Sequence, residues 1–165
     1  ETDVWLIKLL EIENINLLSI SGCIIASVVP DALFSLLSFN KEYLKIEPFI
    51  VGENNLKIGI DINIDNPSEA GADRIVNAVA VKKFYNKPSI VIDFGTATTF
   101  DIVSESGSYE GGLVNRNKEE KNLNYYVIAT GGLSNLFSKN CSIIEKVDNE
   151  LTLNGLIHIY NINKN

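Results

Sequence analysis

Two short segments hold most of the residues able to do chemistry. The first runs Ile90-Val91-Ile92-Asp93-Phe94-Gly95-Thr96-Ala97-Thr98-Thr99-Phe100-Asp101. An apolar strand ends in a carboxylate, and the chain then turns through a glycine. Backbone N–H groups at Gly95 and Thr96 can face a phosphate, because glycine lets the backbone come close to a ligand. Asp93 is placed to hold a cation that neutralises phosphate charge. Thr96, Thr98 and Thr99 add hydroxyls. The same residues also read as a plain hairpin whose threonines favour strand geometry.

The second segment is Asn66-Pro67-Ser68-Glu69-Ala70-Gly71-Ala72-Asp73-Arg74-Ile75-Val76-Asn77-Ala78. It sets Asp73 and Arg74 in the first turn of a helix. The helix dipole favours an ionised Asp there, so Asp73 also reads as an ordinary helix-start charge beside a solvated Arg. An Arg at that end is electrostatically unfavourable, which points to a ligand carboxylate or a protein partner for Arg74. A third segment, Thr130-Gly131-Gly132-Leu133-Ser134, can admit a nucleotide base or ribose beside its paired glycines, or simply turn strand into helix. Gly111-Gly112 is equally open. His158 carries no assigned role, and Trp5 with Leu6 and Leu9 reads as core or interface.

These segments need elements to hold them. Apolar spacing predicts a helix over residues 2–14, a buried strand at Gly22–Val28 ended by Pro30, and a helix starting at Asp31. Short strands fit Phe49–Val51 and Leu56–Ile62. A helix from Pro67 to Tyr85 has Asn66 as N-cap, Pro67 at its first position and Glu69 three residues after the cap; Gly71 can make its first turn irregular. Asn86-Lys87-Pro88 punctuates the chain and divides it into lobes of residues 1–88 and 89–165. Beyond it, Ser89–Phe94, Thr98–Val103 and a strand at Tyr109–Gly112 form a meander. A fourth strand fits Tyr125–Ala129, and a helix at Thr152–Tyr160 closes the chain. This order predicts an α/β fold of two related lobes with a cleft between them.

Composition narrows the function classes. The chain has 165 residues, 45% hydrophobic and 21% charged, as in ordinary globular proteins of one domain or two small ones. A net charge of −7 leaves no broad basic face for nucleic acid or anionic lipid. One His cannot build a His-rich metal site, and Cys23 and Cys141 form neither a zinc pattern nor a disulfide scaffold. No basic signal-peptide start and no membrane-length apolar run is present, so a cytoplasmic protein with reduced thiols is expected.

The segments occur together, and in order, in one family. Asn66–Ala80, NPSEAGADRIVNAVA, resembles the GADR region of type III pantothenate kinases, and Asp93–Asp101, DFGTATTFD, resembles their second phosphate motif. Ser27–Pro30 matches an SVVP turn, Tyr109–Gly112 a YEGG segment, and Ala129–Leu133 and Leu151–Leu156 the C-terminal ATGGL and LTLNGL elements. The resemblance spans most of the chain from about Ile24 onward. It implies two ribonuclease-H-like lobes of the acetate-kinase, sugar-kinase, Hsp70 and actin superfamily, with a nucleotide cleft between them. It implies ATP-dependent phosphorylation of pantothenate to 4′-phosphopantothenate, the first step of coenzyme A synthesis. A divalent metal (Mg2+), a monovalent cation (K+ or NH4+) and a homodimer come with it. By motif, Asp73 is the general base on the pantothenate hydroxyl, and Gly71, Ala72 and Arg74 share its substrate segment. Asp93 binds the monovalent cation, while Thr96, next to Gly95, contacts ATP.

The sequence departs from that family in two places. The family opens with a strand and a DxGNT-type phosphate loop, absent from residues 1–165. After Tyr109–Gly112, Val114 runs straight into Asn115-Arg116-Asn117, where roughly fifty family residues are missing, against usual loop lengths. With no Met in the chain, the expectation is a longer gene product with segments omitted. The alternative is a non-catalytic relative acting as a regulator or interaction protein, whose sole support is the missing phosphate loop.

Overall fold

A computed structural model describes residues 2–53, 55–112 and 124–164. The seam at Val114–Asn115 lies outside them. The chain divides into two units, Glu1–Leu56 and Lys57–Asn165. Among the described residues no helix is long and apolar enough to cross a membrane.

In the first unit, α1 (Thr2–Ile12) has Asp3 in its first turn, where the helix dipole favours it. The strand expected over Gly22–Val28 is only β1 (Ile24–Ile25). Its single neighbour, β2 (Phe49–Ile50), pairs with it over two residue pairs. Downstream the Ser27 hydroxyl accepts the Val29 N–H at 3.2 Å, a local bond that competes with a ladder. Pro30 then opens α2 (Pro30–Phe39), because the first helical position needs no N–H partner. Past α2 the backbone widens into a π turn, Asn40–Leu44. β1 and β2 run parallel, with α2 as the crossover between them. Ile25, Phe39 and Val51 are the buried apolar residues of this unit.

In the second unit, Leu56–Ile62 is not a strand. Asn163 captures both polar groups of the Lys57 backbone, accepting its N–H at 2.9 Å and donating to its carbonyl at 2.7 Å. Only an isolated bridge, Ile62 to Tyr109, touches the sheet. The spaced isoleucines Ile60, Ile62 and Ile64 still pack on the core, so their pattern serves burial without a ladder. The single helix expected over Pro67–Tyr85 is three pieces: a 3₁₀ turn at Pro67–Glu69, α3 (Ala72–Ala80) and a π turn at Val81–Tyr85. Asn66 donates to the Glu69 carboxylate at 2.8 Å, so the capping pair closes on itself. Gly71 becomes the N-cap of α3.

Five strands follow: β3 (Ser89–Phe94), β4 (Thr98–Val103), β5 (Tyr109–Gly112), β6 (Tyr126–Thr130) and β7 (Lys146–Val147). They lie in the order β5-β4-β3-β6-β7. The expected meander is present as β3-β4-β5. β6 lies on the other side of β3 and runs parallel to it. A short helix α4 (Ser134–Ser138) and the final α5 (Leu151–Asn163) complete the unit. Val91, Val103, Tyr109 and Ile128 on the sheet pack with Ala78, Ala80, Val81 and Leu151 from the helical side. All of α3 after Arg74 is buried, as expected of a helix apolar on several faces. Gly155 of α5 lets the helices touch: a Cβ there would overlap the Val76 carbonyl.

Candidate active site

Strand alternation builds the site. Residues two apart share a face, and directly paired residues share it too. Val91 pairs with Asp101 and Asp93 with Thr99. The face that buries Val91 and Val103 therefore also carries Asp93 and Asp101, and α3 lies over it.

Asp101 is 1% exposed. Its Oδ1 accepts from Tyr109 Oη at 2.8 Å and pairs with Arg74 Nη2 at 2.7 Å; its Oδ2 accepts from Thr99 Oγ1 at 3.1 Å. Burial disfavours the Arg74 charge, but the Asp101 hydrogen bond and charge outweigh it and raise its pKa. Gly112 pairs with Asp101 across β4 and β5. A Cβ on Gly112 would stand 2.9 Å from Arg74 Nη2, so the bare glycine opens the route by which Arg74 reaches Asp101.

Asp93 ends β3. Its Oδ2 accepts from Asn77 Nδ2 at 3.1 Å. Asn77, 1% exposed, accepts in turn from Thr152 Oγ1 at 2.7 Å. The other carboxylate oxygen lies over Gly131, whose φ of +87° is left-handed and whose Cβ would stand 2.5 Å from Oδ1. Burial pushes the Asp93 carboxyl above its ordinary range. The Asn77 hydrogen bond opposes this, and the charges of Asp73 and Asp101 add to it.

Asp73 is half-buried in the first turn of α3, and its Oδ1 accepts the Arg74 N–H at 2.9 Å. Gly71 and Ala72 lead into that turn, and Ala72 is buried. Gly95 and Thr96 form the exposed bend between β3 and β4. A Cβ on Gly95 would meet Asp93 Oδ1 at an ordinary 3.5 Å. Within the protein itself, Gly131 is the neighbour of Asp93 whose place no larger residue can take.

Asp73, Arg74 and Asp93 thus share one electrostatic neighbourhood, and Gly95 and Thr96 follow directly from the end of β3. Sequence reasoning missed the residues underneath: Asn77, Asp101, Tyr109 and Thr152. Their signal was a polar residue inside an apolar run, as in Ile75-Val76-Asn77-Ala78 and Asp101-Ile102-Val103. Buried polar groups require partners.

Three carboxylates against one guanidinium leave the site negative, and a cation fits it. The carboxylate of Asp93, with Oδ1 over Gly131, could hold such a cation. Among the described residues no three or more His, Cys, Asp or Glu side chains gather as metal ligands. A divalent ion would enter with nucleotide phosphates, as Mg2+ commonly does.

Comparisons with known proteins show the family. The sequence pattern of the type III pantothenate kinase family matches residues 1–115. A type III pantothenate kinase of Paramagnetospirillum magneticum is 39% identical over 99% of this chain and 84% of its own length. Those of Phenylobacterium zucineum and Caulobacter vibrioides are each 35% identical, over 99% and 97% of this chain. The first alignment covers 217 positions against 165 residues here, so that relative carries at least 52 positions (217 less 165) that this chain lacks within the matched span. A solved Baf family protein from Campylobacter jejuni shares the fold, with a TM-score of 0.56, 17% identity, and coverage of 89% of this chain and 86% of that one. The chain belongs to the type III pantothenate kinase family.

Proposed function

We propose that Asp73, Arg74 and Asp93 carry out the family's reaction, ATP-dependent phosphorylation of pantothenate to 4′-phosphopantothenate at the start of coenzyme A biosynthesis. The observation that carries this reading is the meeting of the α3 start with the β3 end over one negatively charged site, where Asp101 fixes Arg74. Phosphoryl transfer through a loose transition state needs alignment and charge neutralisation more than a strong base. The pantothenate hydroxyl oxygen bonds to the γ-phosphorus, the bond from that phosphorus to the ADP oxygen breaks, and the hydroxyl proton passes to Asp73 late in transfer.

Gly71, Ala72 and Arg74 bound the substrate, and Arg74 offers its guanidinium to a carboxylate or phosphate oxygen. Asp101 already engages one of its nitrogens, so Arg74 is presented in a fixed pose. Gly95 and Thr96 contact ATP. Asp93 would hold K+ or NH4+, which would supply positive charge toward the phosphates, and Mg2+ would be held by the nucleotide phosphates. A division into two ribonuclease-H-like lobes, residues 1–88 and 89–165, a homodimer and a cytoplasmic location complete the proposal. A non-catalytic role is not favoured, because the curated relatives matched here carry the name of a kinase.

The test is direct detection of 4′-phosphopantothenate from pantothenate and ATP in the presence of Mg2+ and K+. Asp73→Asn is expected to reduce turnover by roughly 10²–10⁴-fold with little change in the unfolding midpoint. A folded protein that forms no product ends the reading, and retained activity in Asp73→Asn removes that residue from its role.

A further inference from the structure

We propose that Asn77 and Thr152 are positioning residues that hold the Asp93 carboxylate in the pose needed to bind its monovalent cation. The inference rests on the cation reading of Asp93 above and adds two residues that never touch the ion.

The hydrogen-bond logic leaves one consistent arrangement. An ionised Asp93 is acceptor-only, so Asn77 must present its amide N–H to it. The observed bond, Nδ2 to Asp93 Oδ2 at 3.1 Å, is that one. Asn77 Oδ1 then faces away and needs a donor, because the residue is 1% exposed. Thr152 Oγ1 supplies it at 2.7 Å from α5. Each group thus determines the next. A hydroxyl on the last helix sets the Asn77 amide, and the amide fixes one oxygen of Asp93.

The second oxygen is treated differently. Oδ1 lies over Gly131, at a position where any Cβ would collide with it, and a Cβ on Gly95 would approach it only at 3.5 Å. One carboxylate oxygen is therefore tied from the helix side, while the other is bordered by two glycines. Asp73 and Asp101 both repel the carboxylate, and the Asn77 bond holds it against them. Partners behind a metal-ligating carboxylate commonly contribute about 10–100-fold in metal affinity. A relay spanning α5, α3 and β3 also explains an Asn in the middle of an otherwise apolar buried helix.

The experiment titrates K+ against choline at constant ionic strength, using the whole protein. Two readouts are followed: the K+ concentration giving half-maximal phosphorylation rate, and the K+-dependent rise in melting temperature without nucleotide. Asn77→Leu keeps the branched shape and the number of heavy atoms and removes the donor. It is expected to raise half-saturating K+ about tenfold or more in both readouts, more than it lowers the rate at saturating K+. Thr152→Val is expected to shift both in the same direction by less, and Thr152→Ser to restore the wild-type response. A purely structural Asn77 would lower the melting temperature and leave the K+ dependence alone. Wild-type K+ dependence in a folded Asn77→Leu overturns the proposal; if that variant does not fold, Thr152→Val decides it by the same criterion. Should the unmodified protein be indifferent to K+ in both readouts, the cation reading of Asp93 fails and the proposal falls with it. A K+-responsive wild type with unresponsive variant shifts removes the positioning role alone.

Discussion

Among the described residues the same device ends a helix twice, once in each unit, with different results. α2 widens into the π turn Asn40–Leu44, and α3 into the π turn Val81–Tyr85. Each is closed by a left-handed residue, Lys45 at φ 58° and Asn86 at φ 50°. In each, that residue's N–H bonds the carbonyl five back, Asn40 at 2.7 Å and Val81 at 3.0 Å. A proline follows shortly, Pro48 or Pro88, and then a strand with a parallel neighbour. Lysines crowd both exits. Lys41 and Lys45 line a cavity of about 550 Å³ at the first, and Lys82 and Lys83 one of about 370 Å³ at the second. Cations there suit the negative end of a helix. What differs is the surroundings. β2 has two residues and one neighbour, and only Phe39 of α2 is buried. β3 has six residues with a strand on each side, and α3 is pinned between sheet and α5. The proposed chemistry falls where the helix start and strand end are held from several directions.

The comparison breaks most visibly through carboxylates. Asp31 stands exposed in the first turn of α2, while Asp101 is buried under α3. Asp101→Ala strands the Tyr109 hydroxyl and leaves Arg74 unpaired. Loss of a partner in a fully buried pair costs about 3–5 kcal/mol. Arg74 keeps 31% side-chain exposure, so solvent recovers part of it and about 2–4 kcal/mol is expected. Asp31→Ala forfeits only a helix-start charge, about 0.3–1 kcal/mol. Denaturant midpoints of the two variants measure the contrast; equal losses would mean that the second unit's rigidity does not rest on this ion pair.

Gly155→Ala tests the pinning of α3 itself. The added methyl has no room against the Val76 backbone, so α3 and α5 must separate, at about 1–3 kcal/mol. Asn77 adjoins Val76, and the phosphorylation rate should fall along with stability. Phe34→Ala in α2 removes far more atoms, yet Phe34 is 73% exposed, and its effect should stay within about 0.5 kcal/mol. Differential calorimetry on both variants decides which helix is tightly packed.

A smaller difference lies at the exits. His158 of α5 lines the cavity beyond α3 with Lys83, while no histidine lines the one beyond α2. Burial, and then the Lys83 charge, hold His158 below the ordinary imidazole value of 6.5. The unfolded chain therefore takes up this proton before the folded one does. The stabilising contribution is present above about pH 6.5 and is lost as the pH falls through the folded-state value. Replacing this single histidine, His158→Gln, should flatten the drop in unfolding midpoint between neutral and mildly acidic pH. An unchanged slope would show that the two exits do not differ in this respect.

What was legible before the structure follows the same division. β4 and the meander are where alternation and turn residues placed them, because their side chains obey the two-residue period. Asp73, Arg74 and Asp93 stood out as candidates from motif and helix-start chemistry, and the structure sets them in one electrostatic neighbourhood. Leu56–Ile62 was misread because its isoleucines pack on the core with a single bridge, Ile62 to Tyr109, in place of a ladder, and alternation alone does not distinguish the two. The broken helix over Pro67–Tyr85 was half legible, since Gly71 signalled the irregular start. Its π turn depends on how the chain enters β3, which has no local signature in Val81–Tyr85. Asn77 and Thr152 stayed hidden because their bond joins neighbours 75 residues apart, and Asp101 because its ion pair reaches back to Arg74 on another element.

The finest test concerns the two left-handed residues. A side chain with a Cβ costs roughly 1–2 kcal/mol in that conformation, while Asn tolerates it through local hydrogen bonding. The first exit thus carries the strain on Lys45 and the second relieves most of it with Asn86. Glycine removes the steric term at both, so Lys45→Gly should stabilise the protein by about 0.5–1 kcal/mol. Lysine's interaction with the end of α2 is given up in the exchange and trims that gain. Asn86→Gly has little strain to release and adds freedom to the unfolded chain, so a change near zero or slightly destabilising is expected. Equal gains at both positions would show that Asn86 is as strained as Lys45, and that the second exit owes nothing of its order to the choice of asparagine.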